Sequence, residues 1–258
     1  MVSRQGVDVM IAIDVSDSML AQDIKPNRIE KAKLEISSLI DKLKGDRVGI
    51  LTFAGNSFVQ CPLTLDYNAA KMFLNIIEAG MMPKPGTAIG DAIKTASNAF
   101  IKKDRKHKVL VLLTDGEDHE TNPVQAAQDA RKEGIIIYTI GIGTKKGEPV
   151  PVMDKNGKVT GYKKDKDGNV VLSKLDDLTL QKIALVTDGK YYNATPSEFE
   201  LDRVYEDISK MEKKELSSRI FTQYEDRFQY FLAIAIILLC AEFLMGDRRR
   251  KWADFSRL

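Results

Sequence analysis

The run Asp14-Val15-Ser16-Asp17-Ser18 sets one carboxylate and two hydroxyls at alternate positions. Two other segments carry side chains of the same kind: Pro85-Gly86-Thr87-Ala88 offers the hydroxyl of Thr87, and Thr114-Asp115-Gly116 the carboxylate of Asp115. Asp14, Ser16, Ser18, Thr87 and Asp115 together form an all-oxygen set, which suits a hard octahedral cation, Mg²⁺ or Mn²⁺, better than Zn²⁺. Histidine and cysteine sites are all but ruled out, because the chain has only His107, His119, Cys61 and Cys240. An ion held largely by neutral oxygens stays electrophilic, and it would draw an acidic side chain of a partner protein into an open coordination position. Taken singly each piece is commonplace, since Asp-x-Ser-x-Ser also caps helices and makes turns. Their order, and what precedes each one, gives them weight.

What precedes them is strand-like. Val7-Asp8-Val9-Met10-Ile11-Ala12-Ile13 runs directly into Asp14, and Val109-Leu110-Val111-Leu112-Leu113 into Thr114. Near-continuous apolar runs of this length are expected of strands buried on both faces of a parallel sheet. Ile29, Ala32, Ile36, Leu39, Ile40 and Leu43 recur at helical spacing up to Gly45. Residues 48–53 and 57–61 read as a hairpin with an antiparallel edge strand. Helices are expected at 67–79, 88–100, 123–133 and 175–186, and strands at 135–140 and 190–193. Strands alternating with helices define an α/β fold, doubly wound, with a mostly parallel central sheet and one antiparallel edge strand. Ligands of such sheets bind outside the carboxyl ends of the strands where strand order reverses.

Residues 144–174 break the alternation. They are polar and carry Asn156-Gly157 and Asp167-Gly168, turn signals for one or two hairpins inserted into a domain covering residues 1–210. A partner-contact element and a tolerated surface excursion are both open readings. A linker helix is expected over 211–227. Residues 228–245 then form an apolar stretch that would span about 27 Å as a helix, near the thickness of a bilayer core. Aromatic Phe228, Tyr230 and Phe231 stand at one end and Arg248-Arg249-Arg250-Lys251 in a tail, 246–258, at the other. A C-terminal transmembrane helix is the expectation; a buried helical hairpin is the competing one. The formal net charge of +2 is too small to argue for nucleic acid as a partner. The two cysteines make no disulfide framework.

The Asp-x-Ser-x-Ser motif, the loop threonine and the Thr-Asp-Gly aspartate resemble the metal-ion-dependent adhesion site of von Willebrand factor A domains, over roughly residues 6 to 210. The resemblance implies Ser16, Ser18 and Thr87 as direct ligands, with Asp14 and Asp115 binding through water or directly. Asp23-Ile24-Lys25-Pro26-Asn27-Arg28, Phe53-Ala54-Gly55 and Gly86-Thr87-Ala88-Ile89-Gly90, with the C-terminal apolar helix, are similar to the bacterial Bat proteins, and the insertion is most like the BatB branch. That likeness implies aerotolerance or envelope stress as the setting, with other Bat proteins and a MoxR-type AAA+ ATPase as partners. Family members have membrane helices ahead of the A domain, whereas here the first strand starts a few residues after Met1.

The expected function is therefore a membrane-anchored binding module and not an enzyme. Ser16 stands where an aspartyl phosphotransferase would want a second carboxylate, and neither a Walker loop nor a Gly-x-Ser-x-Gly elbow is present. A scaffold whose metal is purely structural is the alternative, and a metal-dependent hydrolase a more distant one. The basic tail favours a cytoplasmic C-terminus in the bacterial inner membrane, with the A domain in the periplasm. That topology needs an upstream targeting helix; a tail-anchored cytoplasmic domain is the other arrangement. Near the motifs, Glu117, Asp118, His119 and Glu120 could edge the metal face, and Asp91 and Lys94 could pair on one helix.

Overall fold

The computed structural model describes residues 6–100, 107–118, 121–154, 159–195, 200–221 and 228–244. In chain order the elements are β1 (Asp8–Asp14), a 3-10 turn (Asp17–Leu20), α1 (Arg28–Lys42), β2 (Arg47–Phe53), β3 (Ser57–Thr64), α2 (Tyr67–Asn75), α3 (Ile89–Ala99), β4 (Lys108–Thr114), α4 (Pro123–Lys132) and β5 (Ile135–Gly141). Four short strands follow, β6 (Glu148–Pro149), β7 (Pro151–Met153), β8 (Val159–Tyr162) and β9 (Leu172–Ser173). The chain continues with α5 (Asp177–Val186), β10 (Tyr191–Asn193), α6 (Glu200–Phe221) and α7 (Phe228–Leu244).

Six strands make the central sheet in the order β10-β5-β4-β1-β2-β3. All neighbours are parallel except β2 and β3. Because β1 and β4 are buried along their whole length, their interiors, residues 9–13 and 109–113, are apolar on both faces, and only their ends are polar. Val9, Ile11 and Ile13 pack with α1, α2 and α6 on one side; Met10 and Ala12 pack with α3, α4 and α5 on the other. The doubly wound α/β arrangement with one antiparallel edge strand is thus the observed one.

Two boundaries differ from expectation. The edge strand β3 runs on through Pro62 to Thr64, since an edge strand tolerates a residue without an N–H where a central strand would not. Helix α2 ends at Asn75 rather than 79, because Lys33 of α1 donates its ammonium to the carbonyls of Asn75 and Ile77, capping the helix. In the inserted segment, β7 and β8 pair antiparallel inside an outer β6–β9 pair. Asp167-Gly168 forms a turn closed by the Lys164–Val170 bridge, and Asn156-Gly157 lies outside the described residues.

By internal contacts the chain divides into residues 1–213 and 214–258. Within the second unit α7 has 17 residues, one fewer than the expected membrane span, and Met245 lies outside the described residues. Among the described residues no helix is long and apolar enough to cross a membrane. Cys61 is buried, Cys240 is exposed, and both are free thiols.

Candidate metal centre

The chain leaves β1 toward β2 and leaves β4 toward β5, so the two adjacent strands diverge and open a crevice beyond their carboxyl ends. Asp14 ends β1, and Thr114, followed by Asp115, ends β4. Both carboxylates are fully buried. The Ser16 N–H donates to Asp14 Oδ1 at 2.8 Å, folding the loop back so that the Ser16 and Ser18 hydroxyls stand 2.9 Å apart. Thr114 Oγ1 donates to Asp14 Oδ2 at 2.6 Å. With both oxygens engaged, Asp14 can adopt only one orientation.

Thr87 reaches the same place from the other side. The loop before α3 is pinned to the β2–β3 turn by Gly55 N–H to the Lys84 carbonyl at 3.1 Å and by Ala88 N–H to the Ala54 carbonyl at 2.8 Å. Ser16, Ser18 and Thr87 all line one cleft of about 380 Å³. Its rim carries Met82, Pro83, Lys84 and Glu117, and the inserted segment closes it with Val150, Lys163, Val171 and Ser173.

Burial, and then the charge of Asp115, push the Asp14 carboxyl up to about 7, with the bonds from Ser16 and Thr114 pulling the other way. Two buried carboxylates that repel each other need a cation. One is already present: Arg28, wholly buried, places Nη1 3.2 Å from Asp115 Oδ2. Its other face makes a fork with Asp23, Nε to Oδ1 at 2.9 Å and Nη2 to Oδ2 at 2.7 Å. Burial alone would lower the pKa of Arg28, but Asp23, with the charges of Asp115 and Glu117, raises it. Burial likewise opposes ionisation of Asp23, and Arg28 overrides it to hold the carboxyl below its ordinary range.

Ser173 of the insertion completes the group. It accepts from Arg28 Nη1 at 2.6 Å and its hydroxyl lies 3.0 Å from Asp115 Oδ2. Gly143 has φ of +137°, a backbone L-residues rarely adopt, and a Cβ there would lie 2.8 Å from the Arg28 guanidinium. A glycine is needed for the arginine to fit.

The sequence-predicted residues Asp14, Ser16, Ser18, Thr87 and Asp115 therefore gather at one crevice. The neighbouring acidic residues have other work. Asp118 Oδ2 accepts from Ile89 N at 2.9 Å, fixing the start of α3 just after Thr87, and Glu117 Oε1 accepts from Lys174 N at 2.7 Å. His119 and Glu120 lie outside the described residues. Asp91 takes the Ser57 hydroxyl at 2.6 Å. Thr114, Asp23, Arg28 and Ser173 were not anticipated as site residues. For Arg28 a signal existed: it is the first residue of α1, where a cation opposes the helix dipole unless something else holds it there.

The donor set fits a hard divalent ion. No group of three or more His, Cys, Asp or Glu side chains arranged for a metal occurs among the described residues. An ion in the crevice would find hydroxyl oxygens beside the two carboxylates, a mixed oxygen set of the kind hard divalent cations accept.

A sheet of this order with such a crevice at its switch point is the architecture of a von Willebrand factor type A domain. That family's profile matches residues 8–207, and the chain belongs to the family. The crystal structure of the conserved hypothetical protein BatB from Bacteroides thetaiotaomicron is 42% identical with a TM-score of 0.76, covering 81% of this chain and 100% of that one. An aerotolerance-related membrane protein from Bacteroides fragilis is 40% identical with a TM-score of 0.73, again over 81% and 100%. These likenesses place the chain among the Bat aerotolerance proteins, most like BatB.

Proximal thread matrix protein 1 from the mussel byssus, a structure with a zinc-occupied adhesion motif, shares the fold at 22% identity and a TM-score of 0.57, over 82% of this chain and 47% of that one. An uncharacterized protein of Borreliella burgdorferi is 27% identical over 249 residues, which are 93% of this chain and 69% of that protein. Against a relative from Mycolicibacterium paratuberculosis, 31% identical over 202 residues and 72% of this chain, the chain spans 55% of the relative's length.

Proposed function

We propose that this chain is a membrane-anchored binding module that holds Mg²⁺, or Mn²⁺ in its place, and uses it to capture an acidic side chain of a partner protein. The observation that carries the reading is the convergence of the Ser16 and Ser18 hydroxyls, 2.9 Å apart, with Thr87 in the cleft above two buried aspartates. Ser16, Ser18 and Thr87 would be direct ligands, and Asp14 and Asp115 would hold ion-bound waters or the ion itself. What the bound ion supplies is a Lewis-acidic position open to an external carboxylate. The protein's own part is to keep the ligands oriented: Thr114 and the Ser16 N–H hold Asp14, and Arg28 with Ser173 hold Asp115. Arg28 already holds Asp115 in place without an ion, which favours a binding role for the metal over a purely structural one. Ser16, standing where an aspartyl phosphotransferase would want a second carboxylate, favours binding over hydrolysis.

The setting is proposed from the Bat relatives: an assembly with other Bat proteins and a MoxR-type AAA+ ATPase, serving aerotolerance or envelope stress. The anchor is α7, whose described side chains at 230–242 are exposed although almost all are apolar. In the sequence it is followed by Arg248-Arg249-Arg250-Lys251, the basic flank expected of an inner-membrane helix with its C-terminus in the cytoplasm. The A domain then faces the periplasm.

Tagged full-length protein, purified from native membranes with its partners, tests the reading. Partner recovery is expected to fall away in EDTA, to return with Mg²⁺, and to be lost in Asp14→Ala and Ser16→Ala. Recovery unchanged by chelation and by both variants would overturn it. Protease accessibility in spheroplasts decides the side of the membrane: digestion of the A domain in intact spheroplasts is expected, and protection would place it in the cytoplasm.

A further inference from the structure

The inserted segment 144–174 is fastened to the metal crevice rather than hung beside it. Ser173 touches both Arg28 and Asp115, Lys174 N donates to Glu117 at 2.7 Å, and Thr144 N donates to Asp23 at 2.9 Å. Such anchoring makes a fixed wall, and the wall carries one cation to the cleft. Lys163, directly after β8, places Nζ 2.7 Å from Asp17 Oδ2, and both side chains remain close to half exposed. Asp17 lies between the two ligand serines, so this ion pair bridges from the insertion to the loop that would hold the ion. An ammonium has three N–H donors. Asp17 takes one, which fixes the lysine over the cleft and leaves donors for an incoming anion.

We infer that Lys163 is a specificity-determining residue, and that the partner segment carries two neighbouring carboxylates. One would enter the metal's open position and the other would bind the Lys163 ammonium. The inference rests on the metal-dependent reading above and goes beyond it by naming the second contact and the element that supplies it. Charge complementarity selects the occupant: the hydroxyls that would hold the divalent cation and a pinned ammonium line the same cleft, with Val150 and Val171 beside them. A segment with a single acidic residue would use only half of this arrangement.

The test uses the full chain in detergent and short Gly/Ser peptides bearing either one central Asp or an Asp-Asp pair, titrated by NMR in saturating Mg²⁺. The paired peptide is expected to bind about three- to fivefold more tightly, as a partly exposed ion pair allows. Lys163→Gln should abolish that preference while leaving Mg²⁺ uptake and the affinity of the single-Asp peptide unchanged, and Lys163→Arg should restore it. The inference is overturned if the wild type shows no preference, if neither peptide binds, or if the preference survives Lys163→Gln. Failure to take up Mg²⁺ at all, measured by calorimetry without peptide, would instead sink the metal reading, and the inference with it.

Discussion

The guanidinium of Arg28 stands 3.2 Å from the Asp115 carboxylate, with neither side chain exposed to solvent. The arginine also forks onto Asp23, so one buried cation serves two buried carboxylates. Removing one partner of a buried pair leaves charge stranded in low dielectric and costs about 3–5 kcal/mol. Arg28→Met, which keeps most of the volume, is therefore expected to destabilise the domain by about that amount in urea unfolding. A loss below about 1 kcal/mol would mean that Asp23 and Asp115 are solvated or protonated in the native state.

How much of this was legible beforehand differs from residue to residue. The strands β1 and β4 were readable because burial on both faces demands unbroken apolar runs. Asp14, Ser16 and Ser18 were readable because their alternation follows directly from the end of a strand. The meeting of Arg28 with Ser173 was not, since it spans 145 positions of chain; Arg28 stands in a recognisable run, but nothing in that run names its buried partners, and Ser173 sits in no motif. The nesting of β7–β8 inside β6–β9 was equally hidden: turn dipeptides locate reversals, but strands of two to four residues leave too little pattern to show which one pairs with which.

Thr114 separates orientation from ligation. Its hydroxyl donates to Asp14 Oδ2 at 2.6 Å and accepts from Gly116 N at 3.0 Å. Thr114→Val preserves shape and deletes both bonds, for an expected cost of about 1–3 kcal/mol because buried partners are left unmade. Mg²⁺ affinity measured by calorimetry should fall with it, and Thr114→Ser should recover most of both. Wild-type Mg²⁺ affinity in the valine variant would show that Asp14 needs no help from Thr114.

Metal binding should register as stability. A ligand that binds only the native state stabilises it by about 2.7 kcal/mol at a hundredfold excess over Kd. Thermal unfolding of the wild type is expected to shift upward with Mg²⁺ and back with EDTA. In Ser16→Ala, Ser18→Ala and Thr87→Ala the shift should vanish while the metal-free midpoints stay near wild type, because these hydroxyls face the cleft rather than the core. Metal-independent midpoints in the wild type would contradict the assigned ligand set.

The contact between α1 and α6 gives the domain a pH dependence of definite sign. Burial, and then Glu200 beside it as hydrogen-bond partner and as a charge, push the Glu35 carboxyl from 4.5 up to about 8, against the pull of Lys31 and the Leu201 N–H. In that interval the native state keeps a proton that the unfolded chain has released. Its contribution is complete below about pH 4.5, declines as pH rises toward 8 and levels off beyond. Glu35→Gln mimics the protonated form: the amide oxygen can accept from Leu201 N, as Oε2 now does at 3.3 Å, and the amide nitrogen can donate to Glu200. Each tenfold difference in proton affinity between the folded and unfolded chain is worth about 1.4 kcal/mol. The variant is therefore expected to gain several kcal/mol over wild type at pH 8, an advantage shrinking to nothing near pH 4.5. Urea midpoints of the two proteins across that range provide the measurement. A variant whose advantage does not grow with pH would place the ionised carboxylate, not the acid, at the head of α6.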